Sequence, residues 1–169
     1  MHEMQVYGVS FDLVGKQPIV LLKTVDGNRF LPIWIGHPEA AAILMKLQNA
    51  TTPRPMTHDL LNDILRELDA QVTRVAVTEL RENTFYAQVT IQQDGSEVEI
   101  DSRPSDAIAL AVRASAPIFV ADEVIEESGI EFEGDGEPAN EEIEAKVTEF
   151  REQLDTLTPD DFATGPEDE

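Results

Sequence analysis

Three short segments each place an acid beside a histidine or an arginine at what reads as a helix start. "IGHPEAAAI" offers His37 and Glu39. "PRPMTHDLL" offers Arg54, His58 and Asp59. "SRPSDAIAL" offers Arg103, Ser105 and Asp106. If the three starts meet, the set suits phosphodiester chemistry. Glu39, Asp59 and Asp106 would hold a divalent metal such as Mg2+ or Mn2+, which binds a phosphate and activates water. Arg103 would neutralise the charge developing on that phosphate. A first-turn position favours neutral His58, fit for a general base or a metal ligand. Arg54 and Ser105 would contact substrate. The catalytic set is then Glu39, His58, Asp59, Arg103 and Asp106, and the reaction is that of a nuclease.

Capping is the competing account of every acid here. A carboxylate in the first turn is stabilised by the helix dipole and by backbone N–H groups that lack helical acceptors. With Pro104 at the first helical position, Asp106 is third, where it can reach back to the cap. Arg103 resists this account. A cation at the cap position faces the positive end of the dipole, so a partner must favour it, either a carboxylate such as Glu39 or Asp59 or a ligand phosphate. Arg54 lies between two prolines that stiffen its loop.

The elements that must position these groups follow from periodicity. Met4–Leu13, Gln17–Val25 and Arg29–Ile35 read as strands, the last two joined by the turn Asp26-Gly27-Asn28, where glycine would accept positive φ. Helices follow at about 37–48 and at Asp59–Leu68, the second capped by Thr57 and amphipathic through Leu60, Leu61, Ile64, Leu65 and Leu68. Ala40–Leu44 and Leu47 supply the buried side of the first. Strands at about Gln71–Leu80, Thr84–Gln92 and Glu97–Asp101 precede a helix over Pro104–Ala114. Its run Ala107–Val112 is apolar on nearly every side and reads as buried. Pro117–Val120 is a short strand and Asp122–Ser128 a short helix or turn. The pattern is an α+β fold, with a mixed, mainly antiparallel sheet from two three-strand meanders packed with helices. Residues 1–130 form the domain, 131–139 an acidic linker, 140–157 an acidic helix and 158–169 a frayed tail.

Charge sets a limit on partners. The 169 residues carry a formal net charge of -22. Most of it is C-terminal: from Asp122 to Glu169, 19 acids face only Lys146 and Arg151. Such runs form solvated faces or tails, or an acidic surface adapted to a salty cytoplasm. The long-range field repels nucleic acid, leaving Arg54, Arg66, Arg103 and Arg113 as the only local basic patch. The chain has no cysteine, which excludes disulfides, thiol catalysis and the common zinc modules. No apolar run approaches the length of a membrane span. The first residues lack the pattern of a signal peptide. A cytoplasmic location is expected.

Taken together, "FLPIWIGHPEAAAI", "PRPMTHDLLNDIL" and "RPSDAIALAVRASAPIFVADEV" resemble the bifunctional nuclease family, in order and without large gaps from about Met4 to Ile130. The resemblance implies a compact α+β domain, nuclease activity on DNA and RNA, and a homo-oligomer, with a dimer favoured. It carries Glu39, Arg54, His58, Asp59, Arg103, Ser105 and Asp106 over as site positions. Some members carry a further C-terminal motif linked to excision-repair proteins; here an acidic segment with "TPDDF" stands in that place. A non-catalytic oligomeric module binding a small anion, a metal or a protein partner at the same helix starts is the alternative. Deleting Glu131–Glu169 is expected to raise nucleic-acid binding and cleavage at low salt. An unchanged rate would remove the acidic segment from the account.

Overall fold

In a computed structural model, residues 1–12, 15–131 and 145 are described. The chain divides into Met1–Phe132 and Glu133–Glu169. All elements named below belong to the first unit. The expected acidic helix and tail lie outside the described residues apart from Ala145, and so does the expected linker apart from Glu131.

The first meander is β1 (His2–Asp12), β2 (Gln17–Thr24) and β3 (Arg29–Trp34). Helices α1 (His37–Leu47) and α2 (Thr57–Glu67) follow. The second meander is β4 (Gln71–Arg81), β5 (Thr84–Gln93) and β6 (Ser96–Ser102). Then come α3 (Pro104–Ala114), β7 (Ile118–Val120), α4 (Asp122–Ser128) and β8 (Ile130–Glu131). Both meanders belong to a single eight-stranded sheet, ordered β6-β5-β4-β7-β1-β2-β3-β8. The seam is β7, antiparallel to β1 and parallel to β4. All other pairings are antiparallel.

Local chemistry explains the connections. The β4–β5 turn puts Glu82 and Asn83 at φ 49 and 58, and the β5–β6 turn puts Asp94 and Gly95 at φ 50 and 77. Paired positive φ values match the right-handed twist of the flanking strands. The β2–β3 turn works differently from expectation. Gly27 is not among the residues with positive φ. Glycine is needed there for room, because a Cβ would sit 2.8 Å from the Thr24 hydroxyl. That hydroxyl accepts the Arg29 N–H at 3.2 Å and closes the turn.

Each of the first three helices ends in the same way. Asn49, Asp69 and Ser115 take positive φ. The next residue's N–H then bonds a carbonyl five positions back: Ala50 to Met45, Ala70 to Leu65 and Ala116 to Ala111. This satisfies carbonyls that the helix leaves free.

The helix-packed core lies on one face of the sheet, while Ile19, Leu21 and Phe30 are buried on the other. Val20, Leu22, Val75, Val77 and Val89 meet Ala40 and Ile43 of α1, Ala107–Ala111 of α3, and Val124 and Ile125 of α4. The run Ala107–Ala111 is at most 3% exposed, as its composition requires, while Val112 is half-buried.

Three expectations are corrected. Residue Glu131 is not linker but pairs with Arg29 at the sheet edge. Ala41, Leu44 and Leu47 of α1 are exposed. The apolar stripe of α2 also faces outward: Leu60, Leu61, Ile64 and Leu68 are 40–58% exposed, and His58 is the helix's buried residue. Amphipathicity shows that a helix has an apolar side, not which way that side turns. Replacing Gly27 with alanine should displace the Thr24 hydroxyl and cost about 1 kcal/mol, the worth of a hydrogen bond. A denaturant midpoint measures it.

Candidate active site at three helix starts

The starts of α1, α2 and α3 do meet, and arginines join them. Arg103 takes the cap position of α3, with extended backbone and no side-chain bond to the cap. Its Nε donates to Asp106 at 2.8 Å and its Nη2 donates to Glu39 of α1 at 3.0 Å. The other Asp106 oxygen lies 2.9 Å from Nε2 of His58 on α2. Glu39, Arg103, Asp106 and His58 thus form one continuous chain across three helices. Gly36 makes room for it. The Glu39 carboxylate folds back over this glycine, into the space a Cβ would occupy.

The capping account therefore fails for Asp106. Its carboxylate turns sideways to His58 and Arg103 instead of back to the cap. It holds for Asp59, whose oxygen accepts the Met56 N–H at 2.9 Å. That bond also moves the helix boundary: Met56 is the cap and Thr57 is the first helical residue.

Asp59 stands apart from the other two acids. Its second oxygen accepts Nε of Arg113 at 2.6 Å. The Arg113 side chain, only 5% exposed, also donates to the carbonyls of Ala42 and Ala109. It is no part of a basic surface patch. It is an internal tie between α1, α2 and α3, and residue chemistry alone missed it. The available signal was a lone cation inside the apolar run "AIALAVRASA".

The remaining candidates divide. Ser105 is buried beside Asp106. Arg54 and His37 are exposed. The Arg54 carbonyl accepts the Thr52 hydroxyl at 2.7 Å. Its guanidinium forms no ion pair with the carboxylates of the cluster.

Electrostatics follow from these bonds. Burial pushes the Asp106 carboxyl up, but hydrogen bonds from Arg103 and His58 outweigh it, and the net direction is down. Asp59 is held low first by the Met56 N–H and then by Arg113. Arg103 is raised by its bonds to Asp106 and Glu39. All three groups are thus held in their charged forms.

The expected metal site can be judged on this geometry. Asp59 is committed to Arg113 and Met56, while Glu39 and Asp106 share Arg103. Among the described residues no group of three His, Asp or Glu side chains is arranged to hold an ion. The donor set, as folded, fits arginine better than a divalent cation.

Exchanging Arg113 for methionine should cost about 2 kcal/mol, the worth of hydrogen bonds to a charged group, since the Asp59 left behind is partly exposed. It should also change the acid limb. Asp59 and Asp106 are lower in the fold than in the unfolded chain, so their contribution is complete above the ordinary carboxylate range. It is lost as pH falls through their lowered folded values. Without Arg113, Asp59 returns toward its ordinary value, and acid unfolding should begin at higher pH. Urea titrations across pH would record both effects.

Comparison with known proteins identifies the family of the chain. Residues 20–133 match the bifunctional nuclease domain. An uncharacterized protein of Mycobacterium tuberculosis is 39% identical over 96% of this chain and 98% of its own length. Bifunctional nuclease 1 of Oryza sativa subsp. japonica is 29% identical over 66% of the chain, and Bifunctional nuclease 1 of Arabidopsis thaliana is 30% identical over 61%. The aligned regions are 35% and 33% of those two plant proteins. The chain that ties its helix starts together through Glu39, Arg103, Asp106 and His58 belongs to the bifunctional nuclease domain family.

Proposed function

We propose that the Glu39–Arg103–Asp106–His58 cluster is a phosphodiesterase site that cleaves DNA and RNA without reading their sequence. The supporting observation is the state of Arg103. Two carboxylates fix it, yet its side chain remains 66% exposed. Arginine has five N–H donors in a rigid fork, and the two bonds to Asp106 and Glu39 leave the others for phosphate oxygens. The guanidinium is held ready to bind the scissile phosphate and to offset charge in the transition state.

His58 and Asp106 supply the proton chemistry. Asp106 fixes the orientation of the imidazole ring. Water attacks phosphorus and gives a proton to the imidazole. The bond from phosphorus to the leaving sugar oxygen breaks, and that oxygen takes a proton from the imidazolium. Glu39 keeps Arg103 in place, and Ser105 is buried next in sequence to Asp106. No step is assigned to a metal, because the carboxylates are already engaged. The family membership and the names of the plant relatives support the reaction class.

The net charge makes binding local. Arg103 must hold a phosphate against a repulsive field, so affinity should rest on few contacts. The alternative is a non-catalytic clasp for an anion- or partner-binding scaffold. One observation favours it: the cluster's charges are met within the cluster itself.

Purified protein assayed on labelled single-stranded DNA and RNA separates the two readings. His58→Gln and Asp106→Asn should each lower kcat by about 10^2-fold or more, the scale of general acid–base catalysis. Arg103→Lys should raise KM as well. Equal activity in wild type and His58→Gln would assign the cleavage elsewhere and leave the clasp.

A further inference from the structure

The two edges of the sheet are finished differently. At one edge β8 is two residues long, and its shortness blunts that edge. At the other, β6 runs for seven residues. Among the described residues only β5 pairs with it, and the register is continuous, with no bulge to twist the edge away. The strand SEVEIDS holds no proline and no lysine, and residues 96–101 are all exposed. Such an edge directs alternate N–H and C=O groups outward, ready to pair with another strand.

The two faces of this edge differ in chemistry. Val98 and Ile100 pair with Ile91 and Val89 of β5. Directly paired residues share a sheet face, and Val89 is in the core. Val98 and Ile100 therefore lie on the helix-packed face, yet they are 54% and 46% exposed. The helix layer stops short of this edge. Glu97, Glu99 and Asp101 lie on the opposite face, paired with Gln92, Thr90 and Gln88. The base beside them is Arg74, which bonds Glu99 at 3.3 Å and Thr90 at 3.2 Å. Arg103, next after the strand, is turned to Glu39 and Asp106, and Arg81 is held by Glu79. Glu97 and Asp101 have no ion pair among the described residues. Acids alone would guard the edge against pairing. A guard does not account for the two exposed β-branched residues between them.

Charge selects the occupant. A second copy paired through β6 would set this row of acids against the same row, and like charges directly opposite are destabilising. Nucleic acid meets the same repulsion. A basic strand gains from the acid row and from the net charge of -22, which draws cations at long range.

We propose that the free edge of β6 receives an extended segment of another protein, of matching length, in which lysine or arginine alternates with valine or isoleucine. It adds antiparallel, the more stable pairing. Backbone hydrogen bonds hold it. Its apolar residues cover Val98 and Ile100, and its bases face Glu97, Glu99 and Asp101.

Calorimetric titration of the full chain with a synthetic peptide alternating valine and lysine tests this, at moderate ionic strength. One derivative is N-methylated on its lysines and another on its valines. Residues of one kind direct their N–H groups to β6, and those of the other kind direct theirs away. One derivative should therefore keep its affinity and the other lose about tenfold or more, because its methyl groups remove hydrogen bonds. Glu97→Lys combined with Asp101→Lys should weaken the unmodified peptide by about tenfold. Glu126→Lys combined with Glu127→Lys makes the same change of charge on exposed residues of α4 and should leave affinity unchanged. Circular dichroism should be the same for all three chains. Absence of binding overturns the proposal, and equal affinity of the two methylated peptides overturns strand addition. Equal losses in the two double variants reduce the binding to attraction by net charge and overturn the site. A chain that self-associates without peptide, in a way that Glu97→Lys with Asp101→Lys alters, gives the edge to a second copy and overturns the proposal as well.

Discussion

A buried guanidinium cannot be left without acceptors, and Arg113 is the case on which the helix layer depends. Removed from water, it must find oxygen inside the protein. It finds one acceptor on each of three helices: the Ala42 carbonyl on α1, the Asp59 carboxylate on α2 and the Ala109 carbonyl on its own α3. That requirement sets how the helices approach one another. The second layer, from Glu39 through Arg103 and Asp106 to His58, forms where those helices begin. The two layers share no residue. One arginine is nearly sealed and builds the frame; the other is open and faces solvent.

The parts of the fold legible in the sequence are those governed by local chemistry. Pro104–Ala114 has its expected limits because a proline opens it and a left-handed Ser115 closes it. The second meander was readable from alternation and from two turns rich in Asn, Asp and Gly. What escaped depends on partners distant in sequence. The two-residue strand β8 is too short to show a period, and only its bonds to β3 define it. The outward turn of α2 is invisible for a related reason. A leucine stripe looks the same whether it meets a core or nothing within its own chain.

The site was legible in part. Residue types singled out Glu39, His58, Arg103 and Asp106, and the fold joins them. The same reasoning grouped Asp59 with them, although Arg113 claims it, and counted Arg113 as surface. Acids at three helix starts are equivalent in sequence, and only tertiary contacts tell a carboxylate that caps from one that reaches a neighbouring helix. The expectation of a metal followed from counting carboxylates. The folded arrangement counts their partners instead.

The seam of the sheet has a consequence for how the chain folds. Each meander consists of neighbouring hairpins, which form early because little loop entropy is lost. The three residues of β7 are different. They must find both Val75–Val77 on β4 and His2–Met4 near the start of the chain. Few bonds reward that long-range encounter, and the rate of folding falls as contacts become more distant in sequence. The smallest interior strand of the sheet is thus the one that closes the longest loop among the strand pairings of the described residues.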